Sequence, residues 1–230
     1  MKLPISNRLL VCAGFVAPGE RVADIGCDHG YLGIYLLLNN RASSIIAADI
    51  NPGPLQAAVI NSEKYGVRDK IHFYLSDGVQ NIPKDFDTMV FAGVGADTMI
   101  SVLEAAPWLK SSKYRLILQC QSKTPLLRQY LSEHDWRIQE ESVLQDGKFL
   151  YTVMEVTYQP GYSLTPGECY FPPALLENPS IHLPAYYRWV VGGPQVSTAH
   201  RYDAFQAAAL KELTALVQQP ELKFLKEVTP

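Results

Sequence analysis

From residue 21 to residue 134 two kinds of segment alternate along the chain. A short apolar run ends in a turn signal and is followed by a longer stretch with apolar residues at helical spacing. Residues 21–25 predict a strand that stops at Gly26, and residues 31–38 predict a helix. Residues 44–50 and 55–65 repeat the pair, with Asn51-Pro52-Gly53-Pro54 between them and Gly66 as the stop. A third strand over 70–75 ends in Ser76-Asp77-Gly78. A fourth over 87–92 runs through Gly93-Val94-Gly95 into a helix that lasts to Leu103. Residues 114–119 predict a fifth strand, and 124–134 a helix with Pro125 in its first turn. Residues 6–16 predict a preceding helix that Ser6 can cap. Such alternation requires parallel βαβ units, whose ligands lie at the carboxyl ends of the strands.

After residue 134 the period changes. Residues 136–143 and 149–158 read as two strands joined through Asp146-Gly147, a hairpin signal. The expected fold is therefore α/β, with a mostly parallel seven-stranded sheet that ends in a hairpin. Residues 159–198 are rich in Pro, Gly, Tyr and Asn and predict an irregular segment over the sheet. Residues 198–218 carry Ala204, Ala207, Ala208, Leu210, Leu213 and Leu216 on one stripe and predict a helix. This divides the chain into a ligand-binding domain over 1–158 and a Pro-rich segment with a helical appendage over 159–230.

Hydrophobic residues make up 47% of the 230 and charged residues 19%, which supports a real core and excludes wholesale disorder. The net charge of −3 gives no overall attraction to nucleic acid, although basic residues can still gather on one face. Cys12, Cys27, Cys120 and Cys169 share no metal-ligand spacing and read as reduced thiols, with no metal expected. With no signal-peptide pattern and no apolar run of spanning length, the expectation is a cytoplasmic protein off the membrane.

The turn Asp24-Ile25-Gly26-Cys27-Asp28-His29-Gly30 concentrates the chemistry. Glycines 26 and 30 would let backbone pass close to a ligand, and the helix that follows presents its N-terminus to it. The spacing is not the G-x-G-x-x-G of a pyrophosphate cradle. It suits S-adenosylmethionine, which has no phosphate and whose ammonium group an acidic residue can meet. Asp49, at the end of the second strand, can accept two hydrogen bonds from a ribose diol, or it can serve as a turn cap. Asp77 lies where an adenine amino group would be met, and also reads as an ordinary Asp-Gly turn. Gly93 and Gly95 after the fourth strand, and Gln119 and Gln121 after the fifth, offer small residues and amides to a flat base. Both loops read equally well as packing turns.

Residues 5–9 and 23–32, then Asp49 to Ala58, Ser76-Asp77-Gly78, 91–95 and 116–119, together resemble the TrmK family of bacterial tRNA (adenine-22, N1)-methyltransferases. The resemblance covers roughly residues 3–157. It implies a Rossmann-like class I methyltransferase fold, S-adenosylmethionine as cofactor, tRNA as partner and a C-terminal helical appendage. It implies cofactor contacts at Asp24, Gly26, Cys27, Gly30, Asp49, Ile50, Asp77, Gly78 and Gly93. It implies substrate contacts at Arg8, Gly95, Gln119 and Gln121, and a catalytic pair at Asp28 and His29. The family's Gly-Met-Gly-Gly is here Gly93-Val94-Gly95-Ala96, and its Gln-Pro-Asn is Gln119-Cys120-Gln121. Asp28 is expected to stabilise charge on the methylated base or to take a proton from its exocyclic amine. Equally, Asp28 can bind only the ammonium group while His29 caps the helix. A methyltransferase of a small molecule or protein, and a non-catalytic cofactor-binding or tRNA-binding chain, remain as alternative functions.

Overall fold

The structure, a computed structural model, describes residues 3–192 and 204–226. Its first half follows the predicted alternation. Helix α1 (Asn7–Phe15) is capped by the Ser6 side chain, which accepts the Leu9 N–H. Then come β1 (Glu20–Ile25), α2 (Tyr31–Leu38), β2 (Ala42–Asp49), α3 (Pro52–Lys64), β3 (Ile71–Leu75), β4 (Thr88–Val94), α4 (Ala96–Ala105), β5 (Arg115–Cys120) and α5 (Thr124–Glu133). Strands β6 (Trp136–Asp146) and β7 (Phe149–Tyr158) form the hairpin, with β6 three residues longer than its apolar pattern suggests.

The seven strands make one sheet in the order β3-β2-β1-β4-β5-β7-β6. Pairs among β1 to β5 are parallel, and β7 is antiparallel to both β5 and β6. Successive strand residues serve opposite faces, because side chains alternate across a pleat. In β5, Leu116 and Leu118 pack with α4 and α5, while Ile117 packs with the cluster around α1 and α2. Both faces are covered, so the strands read as continuous apolar runs. The order reverses direction between β1 and β4, and a crevice therefore opens at their carboxyl ends.

The segment from 159 onward corrects the expectation of an irregular loop. It contains α6 (Pro166–Tyr170), α7 (Ala174–Glu177) and α8 (Leu183–Gly192). Its prolines do not break these helices, because they stand where no backbone hydrogen bond is lost. Pro166 opens α6 behind a Thr165–Glu168 capping box, Pro173 caps α7, and Pro184 lies in the first turn of α8. The helix predicted over 198–218 is observed as α9 (Ala204–Leu216), while 198–203 lie outside the described residues. These helices share a third apolar core that reaches Val143 of β6.

A fully buried ion pair joins this core to the sheet. Arg128 of α5 donates from Nη2 to Glu141 at 2.6 Å and from Nε at 3.2 Å. Its Nη1 donates to the carbonyls of Cys169 and Tyr170, and its Nη2 also reaches the Tyr186 hydroxyl at 3.1 Å. The guanidinium thus fastens α5, β6, α6 and α8 at one point.

Candidate active site

At the switch point lies a cavity of about 460 Å³, within the usual range for small-molecule sites. Its floor is the turn between β1 and α2. Gly26 adopts φ +70° and Asp28 φ +50°, left-handed conformations that glycine takes freely and aspartate takes at modest cost. The turn is held by the Gly26 and Cys27 N–H groups on the Ala48 carbonyl at 2.8 and 2.9 Å. The Asp28 N–H closes it on Asp49 Oδ2 at 3.1 Å. Asp49 Oδ1 accepts the Asn51 N–H at 2.8 Å. Two backbone donors therefore fix this buried carboxylate, and each oxygen keeps further lone pairs to offer into the cavity.

Asp24 is the most telling residue. It is 4% exposed and lines the cavity, and its Oδ2 has no hydrogen-bond partner among the described residues. Burial pushes its carboxyl up to about 7, the neighbouring Asp49 and Asp28 charges add to this, and the Gly33 backbone N–H pulls the other way. A buried, unmatched acceptor of this kind calls for a cationic donor from a ligand.

Asp28 and His29 stand at the rim, more than half exposed, with His29 Nε2 3.6 Å from Asp28 Oδ1. Asp77, Gly78, Ile50, Cys27 and Gly93 also line the cavity, as do Arg8 and Gln121. Arg8 reaches across from α1. Its Nε donates to Asp146 Oδ2 at 2.8 Å and its Nη1 to Gln119 Oε1 at 3.2 Å, and its guanidinium lies over the Tyr151 ring.

Three of the expected contacts lie behind the cavity wall. Gly30 caps α2 at φ +72°, and a Cβ there would come within 2.9 Å of Ala58 Cβ, so its smallness serves the packing of α2 on α3. A Cβ on Gly95 would meet Ser122 Oγ at 2.8 Å, which makes it a residue of loop packing. Gln119 is fully buried. Its Oε1 accepts from Arg8 and from the Gly93 N–H at 3.1 Å, where a register shift interrupts the β4–β5 ladder. It holds the loop and the arginine in place without reaching the cavity surface.

Residues not singled out from the sequence complete the walls, among them Tyr31, Asn51, Ser76, Phe91 and Thr98. Ser76 had a local signal: its hydroxyl donates to the Gly78 carbonyl and accepts the Asn81 N–H, the mark of a side chain shaping an Asp-Gly turn. Phe91 and Thr98 had none, since only the register of β4 and α4 turns them inward.

The methyltransferase-domain family matches residues 5–154, which include every strand up to β7 and the whole cavity floor. The chain belongs to that family. Among curated proteins, the Bacillus subtilis tRNA (adenine(22)-N(1))-methyltransferase is 34% identical over 154 residues. That match takes in 66% of this chain and 65% of the Bacillus protein, so just under two thirds of the relative is spanned. Solved structures align over more. The B. subtilis m1A22 tRNA methyltransferase TrmK superposes with a TM-score of 0.71 at 28% identity, over 98% of both chains. The Streptococcus pneumoniae protein Sp1610, crystallised in complex with S-adenosyl-L-methionine, gives 0.76 at 28% identity, over 96% of this chain and 98% of that one.

Within this methyltransferase domain the described residues contain no group of His, Cys, Asp and Glu placed to hold a metal ion. All four cysteines are buried and unpaired. No helix among the described residues is long and apolar enough to cross a membrane.

Proposed function

We propose that this chain is an S-adenosylmethionine-dependent methyltransferase that modifies N1 of adenine 22 in tRNA. The observation that carries the reading is the likeness to the B. subtilis tRNA methyltransferase over 98% of both chains, which includes the helices beyond residue 158. We assign residues 1–158 to the cofactor and catalysis and 159–230 to support of the substrate. A tRNA substrate also makes the cytoplasm the expected compartment.

The cavity's donors and acceptors fit the cofactor. Asp24 Oδ2, unmatched and buried, would receive the ammonium of the amino-acid tail. Asp49, fixed by the Asp28 and Asn51 N–H groups, would accept the ribose hydroxyls. Asp77 would take the adenine amino group. When bound, the cofactor supplies an electrophilic methyl group on a sulfonium. The protein needs no strong base, because the adenine N1 lone pair is itself the nucleophile. What it must provide is a place for the positive charge that develops on the base. Asp28, exposed at the rim, would stabilise that charge or accept a proton from the exocyclic amine at its carboxylate. His29 would orient Asp28. Arg8, held by Gln119 and Asp146, would offer its remaining donors to a phosphate at the mouth.

The test is transfer of tritium from labelled S-adenosylmethionine to unmodified tRNA transcripts with adenine at position 22, and to the same transcripts with guanine there. Label confined to the adenine transcripts is expected. Absence of label from every tRNA tried, with the cofactor still bound, would overturn the substrate assignment. Asp28→Ala is expected to bind cofactor normally and transfer methyl groups at least a hundredfold more slowly.

A further inference from the structure

Beside the cofactor cavity lies a smaller crevice of about 230 Å³, enclosed by the loop after β5, the β6–β7 turn and α8. Gln121 lines both. Two walls of the crevice are aromatic: Phe149 is 55% exposed and Trp189 45% exposed. Trp189 is backed by Tyr186, with ring centroids 5.7 Å apart, and Tyr186 is itself pinned by the buried Arg128. Phe149 carries the Lys148 ammonium 5.3 Å from its ring centre. A residue that lines the crevice also carries a polar atom without a partner. Thr152 is 2% exposed, and its hydroxyl has no hydrogen bond among the described residues.

We propose that this crevice holds an unpaired nucleobase of the RNA substrate, a neighbour of the base that is methylated. The inference rests on the tRNA reading above and extends it to a second contact. Flat aromatic walls accept the face of any base, and a base edge carries the donors and acceptors that the Thr152 hydroxyl lacks. An aliphatic side chain from a protein partner would leave that hydroxyl unmatched. The shared Gln121 places the crevice next to the methyl-transfer site, where consecutive nucleotides of one strand must lie. Lys148 stands beside the Phe149 wall and can meet a phosphate, whereas Lys123, which also lines the crevice, is paired with Asp97 at 2.8 Å.

The experiment uses the full chain in two measurements. The first is steady-state methylation of tRNA by Phe149→Ala, Trp189→Ala, Trp189→Phe and Thr152→Val. The second is quenching of tryptophan emission by a single-stranded RNA hexamer. The alanine variants are expected to raise KM for tRNA roughly tenfold, the size of one lost stacking contact, with kcat and cofactor affinity within twofold of wild type. Trp189→Phe should restore KM, and Thr152→Val should raise it without loss of folded protein. The hexamer should quench wild-type emission and leave Trp189→Phe emission unchanged. Unchanged KM in Thr152→Val and in whichever alanine variants fold would overturn the proposal while leaving the tRNA reading intact. If wild type methylates no tRNA, that reading falls, and quenching decides alone: dependence on Trp189 supports a nucleobase site, and no quenching overturns it.

Discussion

Replacing Asp24 by Asn should abolish a loss of stability that the protein suffers as pH rises, and leave it unable to hold its cofactor. The native state keeps the Asp24 proton to about pH 7, whereas an exposed aspartate gives it up near pH 3.8. The folded chain therefore binds more protons than the unfolded one across that window, and native stability falls as pH rises through it. Above pH 7 the loss is complete and comes to about 4 kcal/mol, taking the burial of Asp24 as total. Asparagine has no charge to bury and escapes this pH-dependent loss, whatever fixed cost its amide carries. The difference in unfolding free energy between Asp24→Asn and wild type should thus move by about 4 kcal/mol in the variant's favour between pH 4 and pH 8. Urea unfolding at several pH values measures it directly. Cofactor binding should show the mirror image, since only the ionised carboxylate attracts an ammonium group. Wild-type affinity for S-adenosylmethionine should rise roughly tenfold from pH 5 to pH 6, as the ionised fraction rises while the cofactor's amino group stays protonated. A stability difference that stays flat with pH would refute the argument, because Asp24 would then be ionised at no cost.

Other consequences follow from single contacts. Arg128→Met leaves Glu141 buried without its partner and should cost about 3–5 kcal/mol in urea unfolding. The double variant Arg128→Met/Glu141→Leu should recover most of that loss, since neither charge is then buried alone. Gly30→Ala must place a Cβ 2.9 Å from Ala58 Cβ at φ +72°, and should lower stability by about 1–3 kcal/mol while leaving the cofactor dissociation constant of the folded fraction unchanged. Asp49→Ala removes both the proposed diol acceptor and the anchor of the Asp28 N–H. Calorimetric titration should show S-adenosylmethionine binding weakened at least tenfold.

The parallel sheet was legible because its signals are local. Each of β1 to β5 is an apolar run closed by a turn residue, and the α2 boundaries at Tyr31 and Leu38 follow from the flanking glycine and asparagine. The cavity floor was legible for the same reason, as Asp24, Gly26, Asp28 and Asp49 all belong to strand-end turns. The helices after residue 158 were obscured by a rule applied without regard to position. Proline opposes the interior of a helix but suits its first turn, and Pro166 and Pro184 both stand there. Gln119 illustrates a different limit. Its place at a strand end suggests a ligand contact, yet the interrupted β4–β5 register draws its amide to Gly93 and Arg8. No local pattern reports whether a side chain at a strand end points at a ligand or at the backbone beside it.

Arg8 links the start of the cavity to the tip of the hairpin, across 138 residues of chain. During synthesis, its Asp146 partner is made roughly 10–30 s after the arginine itself. The glycine turn, β2 and Asp49 are all complete well before that. A nascent chain therefore owns the cavity floor before it owns the latch that shapes its mouth. Ribosome-bound fragments ending before β6 would present an open, unlatched version of the cavity, and the last strands to emerge would anchor the first helix through Arg8.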